Sequence, residues 1–279
     1  MKKYFSVFTI PFNRDLFAPC YWIPSKIAKM PCAGWKKYFL LFTSYFSLFF
    51  SHAQTQFYSA VKIEFEKTIA QHAMMKELDP EWYEFAKDHT PATSVSYFDF
   101  IGDSAHSVYK PGRDNGNTQR NWFTELGAKN IVYTDYQKSS SITQKPVYEE
   151  TFLVQDSLLK IKWKITPDTR SIAGFQCRKA IGILFDTVAV FAFYSEELMI
   201  PGGPEGIHGL PGMILGMGIP RLHATWFATK VQVADIPVAN IHPETKGKRT
   251  DRKEFLDALY KVMKNWDAWG KKLLLVTQI

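Results

Sequence analysis

Residues 197–220 read ELMIPGGPEGIHGLPGMILGMGIP, a hydrophobic segment that runs into two hard turns and leaves as a second hydrophobic segment. Pro201-Gly202-Gly203-Pro204 is the first turn signal and Leu210-Pro211-Gly212-Met213 the second. Proline holds φ at about −65° in the second position of a turn, and glycine supplies the positive φ that a type II turn needs next. Leu-Pro-Gly-Met therefore predicts a type II turn. Beyond it Met213, Leu215, Met217 and Ile219 alternate with Ile214, Gly216 and Gly218, which predicts a strand with one large apolar face and one nearly bare face. Glycine inside a strand marks a bulge or a close approach to the backbone, either by a neighbouring element or by a bound ligand. Strands joined directly by short turns pair antiparallel with each other, since a parallel pair needs a long crossover.

The flanks extend this pattern. Residues 184–195 are apolar on both faces apart from Asp186, Thr187 and Ser195, as expected of a strand that lies centrally or lines a cavity. Residues 172–182 form the strand before it, and Pro167-Asp168 predicts a turn. Leu159, Ile161, Trp163 and Ile165 alternate with Leu158, Lys160, Lys162 and Lys164, an apolar face against a lysine face and the clearest alternation in the chain. Further upstream, residues 130–136 read as a strand and 138–145 as a polar loop. Residues 94–103 and 107–110 read as short strands, and 111–120 (PGRDNGNTQR) as an exposed loop. In residues 59–67, Val61, Ile63 and Phe65 alternate with Lys62, Glu64 and Glu66, a half-buried strand; residues 68–88 lean helical, with Pro80 a break or a start.

Downstream, residues 222–233 (LHATWFATKVQV) read as a strand and 236–249 as a Pro/Gly/Lys-rich connection. Thr250-Asp251 caps a helix over 251–269, with Glu254 placed for a capping box and Phe255, Leu259, Val262, Met263 and Trp266 on one face. Gly270 ends that helix, and Leu273 to Val276 form a short apolar tail suited to a final edge strand. The count is about nine strands without helical crossovers, hence a mainly β fold with flanking helices: one domain over residues 54–279 whose curved antiparallel sheet is covered by the C-terminal helix.

GGPEGIHGLPGMIL resembles the signature of the GLPGLI family, exported proteins of Bacteroidetes-type bacteria, with Met213 where the family name has leucine. The resemblance continues through IAGFQCRKA (residues 172–180), FAFYSEELMI (191–200) and IPRLHATWFATKV (219–231), and is strong over residues 130–235. It implies a fold and an address, and no reaction. Gly203, Pro204, Gly209, Leu210, Pro211, Gly212, Gly216, Gly218, Cys177 and Tyr194 carry the motif or stand beside it, and are the candidate ligand-binding positions. Within the Gly-aromatic-x-Cys-x-Lys-Ala run, Gly174, Phe175, Cys177, Lys179 and Ala180 look like part of the fold signature.

The net charge of +7 belongs to the N-terminus. Residues 1–53 hold seven basic residues and one acid, +6, and the other 27 basic and 26 acidic residues leave +1. A nearly neutral body gives no electrostatic footprint for nucleic acid. Lys36-Lys37, the uncharged run 38–50 and Ser51-His52-Ala53 form the charged, apolar and small-residue parts of a secretory signal, with Gln54 as the first mature residue. Met30 makes a better start, so 30–53 reads as the signal peptide and 1–29 as a misassigned extension. The expected location is the periplasm or the outer membrane surface, with no membrane span in the mature chain. After cleavage Cys177 is the sole cysteine, which excludes an internal disulfide and any multi-thiolate metal site. A lone cysteine between strand residues is most often a small buried hydrophobe.

Among catalytic signatures, G-x-S-x-G, H-E-x-x-H, the P-loop and the dinucleotide fingerprint are all missing from the sequence. Glu205 and His208 between the turns, with His223 as a third ligand, make a speculative zinc or iron site. Asp135, Asp156 and Asp186 are polar positions in apolar strands, as suited to structural roles as to catalytic ones. No cofactor is identifiable. The favoured expectation is a non-catalytic envelope protein that binds a hydrophobic ligand or lipid, or assists an outer-membrane transport partner. Its architecture resembles that of periplasmic carriers of lipoprotein acyl chains. The alternatives are a metal-dependent envelope enzyme or metal-binding protein, and a structural sheet that pairs through an edge.

Overall fold

Twelve strands in one sheet carry the chain, in a computed structural model that describes residues 56–114, 116 and 127–279. The predicted export signal (30–53), the extension before it, and most of the predicted loop 111–120 lie outside the described residues. In chain order the strands are β1 (Ala60–Ile69), β2 (Ser94–Asp103), β3 (His106–Pro111), β4 (Ile131–Asp135), β5 (Ser140–Val147), β6 (Glu150–Ser157), β7 (Lys162–Ile172), β8 (Phe175–Leu184), β9 (Val188–Ser195), β10 (Met213–Ile219), β11 (Ala224–Gln232) and β12 (Lys248–Asp251). They lie side by side as β12-β6-β5-β4-β3-β2-β1-β11-β10-β9-β8-β7, so the curved sheet is not closed and β12 and β7 are its edges. Every pairing is antiparallel except β12 on β6. Helices α1 (Gln71–Leu78) and α2 (Pro80–Ala86) follow β1, and α3 (Arg252–Met263) and α4 (Asp267–Gln278) close the chain. Among the described residues no helix is long and apolar enough to cross a membrane.

The mainly β, single-sheet architecture expected from the sequence is what forms. Strand β1 is its axis. Val61, Ile63 and Phe65 are fully buried on its inner face, and Phe65 lies opposite Phe98 of β2 and Ala228 of β11. Each such side chain contributes roughly 1.5–3 kcal/mol of burial free energy. Leu275 of α4 and the following Ile279 enter this cluster. Leu273 joins a second cluster with Met74 and Met75 of α1, Phe152 of β6, and Phe255, Leu259 and Met263 of α3. The helices therefore cover the β5–β6 side of the inner face.

Several local expectations are corrected. The helix expected over 251–269 is two: α3 stops at Met263, and α4 takes in Gly270 and the residues expected as an edge strand. Gly270 is a close-packing position here, since a Cβ on it would lie 2.2 Å from the Met263 carbonyl oxygen. The polar loop expected at 138–145 is mostly β5, because alternation of Ile142 with Thr143 and Lys145 suits a strand whose inner face is polar. Within the connection 236–249, the stretch from Lys248 becomes β12, and the strand count rises from nine to twelve.

Pro167-Asp168 makes no turn; it sits in a register shift inside β7, where proline's missing N–H is tolerated. Residues 184–195 are split by a turn in which Phe185 and Asp186 take positive φ, 49° and 61°, before β9 begins. The type II turn is also absent. Gly212 N donates to Leu210 O across three residues, and Met213 N donates to Leu198 O instead of closing a four-residue turn. Gly212 adopts φ 148°, and a Cβ there would sit 2.1 Å from the Ser195 carbonyl oxygen, so only glycine fits. Pro80 does start a helix, α2, with Asp79 accepting from Trp82 N at 2.9 Å, and Asp251 caps α3 by accepting from Glu254 N at 2.8 Å.

Candidate functional site

The loop 201–212 does not stand out in solvent; it folds into the inner side of the sheet. A 3₁₀ turn at Pro204–Gly206 touches β3 and β4 and carries Glu205 with φ 55°, an uncommon conformation for a residue with a Cβ. Its side chain is 1% exposed. Glu205 Oε1 accepts from Lys67 Nζ at 2.8 Å and from Trp226 Nε1 at 3.2 Å. Lys67 continues the inner face of β1 two residues past Phe65, and Trp226 stands opposite it on β11. The Lys67 ammonium also lies 5.0 Å from the Trp226 ring and 5.6 Å from the Phe98 ring. A loop carboxylate is thus held by a strand lysine 138 positions away.

More polar groups surround this pair. Tyr109 of β3 is buried, and burial together with the Glu205 charge pushes its phenol well above the ordinary range. The Tyr109 hydroxyl and Glu205 Oε2 have no hydrogen-bond partner among the described residues. Lys145 on the inner face of β5 donates to the Thr277 carbonyl of α4 at 2.8 Å. Burial lowers its ammonium to about 8, opposed by Glu205 and assisted by Arg252 and Lys67. Arg252 of α3 pairs with Asp156 of β6. A cavity of about 50 Å³ touches Lys145 and Glu205, and another of about 20 Å³ touches Lys67, Glu205 and Trp226.

The motif residues fall around this centre. Gly202 and Gly203 bring the loop against the interior; a Cβ on Gly202 would lie 2.2 Å from the Tyr136 hydroxyl, which bonds Ser107 Oγ at 2.8 Å. Pro204 and Leu210 are buried and Pro211 is exposed. Gly209, at φ 96°, passes beside the Trp163 indole, whose Nε1 donates to His208 O at 3.0 Å. Gly216 admits neighbouring protein: its missing Cβ leaves room for Phe227 and Ile172, each under 3 Å from where that atom would be. Gly218 makes only ordinary contact with Thr225. Cys177 and Tyr194 are fully buried, burial pushes the Cys177 thiol up to about 12, and the Tyr194 hydroxyl donates to Glu196 Oε1 at 3.3 Å.

The speculative metal ligands are not brought together. Glu205 is taken by Lys67 and Trp226. His208 Nδ1 donates to Gly206 O at 3.1 Å, and burial lowers its titration. His223 Nε2 meets Glu77 Oε2 at 2.5 Å, in a cluster where Lys272 Nζ reaches Glu77 Oε1 at 2.9 Å and Arg221 O at 2.6 Å. The Lys272 and His223 contacts, Lys272 first, hold the Glu77 carboxyl below the usual range. Among the described residues no three His, Cys, Asp or Glu side chains form a metal-binding group. Asp135 accepts from Lys138 N and Nζ at 2.8 and 2.9 Å, and Asp186 occupies the β8–β9 turn.

Sequence reasoning missed Lys67 and Lys145. Their signal was parity: each sits on an inward position of a strand, where a lysine has to find a buried acceptor.

Two larger grooves open to the surface. One, about 400 Å³, runs between α3 and the β5–β6 hairpin and is lined by Val147, Tyr148, Phe152, Ala258, Leu259 and Val262, with Glu149 and Glu150 at its rim. The other, about 430 Å³, is lined by Ile142, Leu153, Gln155, Glu244 and Arg249 to Asp251.

No protein-family model matches the chain, and no curated protein does. Among solved structures, PNGF-II in two crystal forms is similar at 13% identity and a TM-score of 0.47, over 73% of this chain and 33–34% of that one. The chain thus spans about a third of the length of PNGF-II. An uncharacterized conserved protein from Thermus thermophilus is similar at 5% identity and a TM-score of 0.35, over 70% of this chain and 91% of that one.

Proposed function

We propose that this chain is an exported, GLPGLI-type protein of the bacterial envelope that binds a hydrophobic ligand and catalyses no reaction. The observation that carries the reading is the groove between α3 and the β5–β6 hairpin. At about 400 Å³ it has the volume of a small-molecule site. Its walls are apolar, and Tyr148 and Val262 within it are each 58% exposed. Leu259 and Phe152 at its base belong to the helix-covered cluster, so the groove rests on a packed floor. An acyl or other apolar chain laid there removes Tyr148 and Val262 from water. The export signal of the sequence and its nearly neutral body support an envelope address over nucleic-acid binding.

Glu205, the buried carboxylate most like a catalytic group, is a structural keystone in this reading. Its charge is matched by Lys67 at 2.8 Å.

Native mass spectrometry of the protein purified gently from the bacterial envelope tests the proposal. A mass increment removed by organic solvent, and lost in a Val262→Asp variant, is the expected result. A bare polypeptide mass in the wild-type protein would refute it, and an increment of one divalent metal would replace it with the metal reading.

A further inference from the structure

The inner side of the sheet holds a buried ammonium, Lys145, beside a cavity whose other charged lining groups are Glu205, Asp156 and Arg252. Lys67, Lys145 and Arg252 supply three positive charges; Glu205 and Asp156 supply two negative ones. Lys67 is matched by Glu205, and Arg252 by Asp156. Lys145 is left with a single backbone carbonyl, Thr277 O, although it is only 6% exposed. A buried ammonium with one neutral acceptor is a costly arrangement unless an anion completes it. The space for such an anion is present: the cavity of about 50 Å³ borders Lys145, Ser141 and Thr143 between β4–β6 and the end of α4. This volume suits a few heavy atoms. Leu158 and Leu159 after β6 and Leu256 of α3 add apolar lining.

We propose that this cavity binds a carboxylate group, held by the Lys145 ammonium and the hydroxyls of Ser141 and Thr143. The Lys145 ammonium contributes a charge-assisted hydrogen bond and the hydroxyls contribute neutral ones. The groups facing the site from each packed element are Glu205 of the 3₁₀ turn, Lys67 of β1, Asp156 of β6, Arg252 of α3 and the Thr277 carbonyl of α4. Glu205 and Asp156 oppose an anion, and each has its charge offset by a partner, Lys67 at 2.8 Å and Arg252. The carboxylate belongs either to a free short acid or to the end of a longer acyl chain that packs against Leu158, Leu159 and Leu256. This site is separate from the α3 groove and does not rest on it.

Isothermal titration calorimetry of the full chain with sodium acetate and sodium octanoate, against sodium chloride, tests the site. Saturable binding of a carboxylate is expected. Equal affinities would assign a free short acid; octanoate binding at least about tenfold tighter, one decade of affinity, would assign an acyl end. Saturation by neither probe up to about 10 mM would overturn the proposal and leave ordered water in the cavity. Lys145→Met should weaken binding at least about tenfold, as expected for loss of a charge-assisted bond, and unchanged affinity in this variant would overturn it too. Should Lys145→Met fail to fold, the wild-type pH profile decides. Binding needs the protonated amine, so affinity should fall as pH rises through about 8. A level affinity to about two pH units above that would refute the assignment.

Discussion

The Lys67–Glu205 pair ties the loop 201–212 to the axis of the sheet, and breaking it makes a quantitative prediction. In Lys67→Met the Glu205 carboxylate keeps only the Trp226 Nε1 bond at 3.2 Å, its second oxygen has no partner, and its side chain is 1% exposed. Removing one member of a buried pair strands the other charge and costs about 3–5 kcal/mol. Lys67→Met belongs at the upper end of that range. Glu205→Gln should cost less, about 2–3 kcal/mol, because an amide oxygen still accepts from Lys67 and the ammonium keeps the Trp226 face at 5.0 Å. The double variant Lys67→Met/Glu205→Gln leaves no buried charge at this position, so it should be more stable than Lys67→Met alone. A coupling of at least about 2 kcal/mol is expected across the cycle. Urea denaturation followed by tryptophan fluorescence measures all four proteins, and thermal melts should place Lys67→Met about 10 °C below wild type. A cost below about 1 kcal/mol for Lys67→Met, or additive single variants, would show that the pair is effectively solvated and the keystone argument wrong.

Glycine positions in the loop offer a sharper steric contrast. Gly212→Ala sets a Cβ 2.1 Å from Ser195 O and should cost more than about 3 kcal/mol, whereas Gly174→Ala, at φ 88° in open space, should cost about 1 kcal/mol; urea midpoints compare them. The Cys177 thiol, buried and pushed up to about 12, should resist aromatic disulfide reagents at about pH 8 until the protein is unfolded, and rapid labelling of the native protein would contradict its burial. Stability should rise with pH just above 8. Lys145 has lost its proton in the folded state above about 8, while the unfolded chain keeps it to about 10.5, so unfolding takes up protons in that window. Cys177 acts in the opposite direction from about 9, where the unfolded thiol ionises first, so the rise is confined to the first unit. Urea midpoints at about pH 8 and pH 9 should show it in wild type and not in Lys145→Met.

The sheet was legible where one face is greasy and the other charged, as in β1, whereas the explicit turn chemistry of Pro167-Asp168 and of Leu210 to Met213 misled. It was less legible where the inner face is itself polar. The β5 sequence SSITQKPV puts Thr143 and Lys145 inside, so the alternation looks like a loop. Short β12 has no hydrophobic period, because its parallel pairing with β6 uses backbone groups and its side chains are mostly exposed. The break between α3 and α4 was hidden because Gly270 reads as a stop, while its use is to let α4 approach Met263. In the site, Glu205 was visible as an acid between two turns, but its partners were not. Lys67 and Trp226 are 138 and 21 residues away, and only their strand parity and register bring them to one point.

An unclosed sheet of this length has two edges on which another strand could add, and the chain's treatment of them bears on where a partner can act. β7 carries Lys162 and Lys164 outward, and a register shift around Pro167 interrupts its ladder. Lysines, proline and a bulge are the devices by which edge strands avoid pairing. β12 is short, Lys248–Asp251, and its last residue is already the N-cap of α3. An incoming strand would find only that short run of backbone before the helix. Strand addition is therefore disfavoured at both ends, and recognition is left to faces and grooves, of which the apolar groove beside α3 is the one bordered by half-exposed Tyr148 and Val262. The same reasoning makes a discriminating prediction: Val262→Asp should abolish ligand or partner retention, whereas Lys164→Val on the edge should leave it unchanged. Pull-down and native mass spectrometry of the two variants would reverse the argument if only the edge substitution mattered.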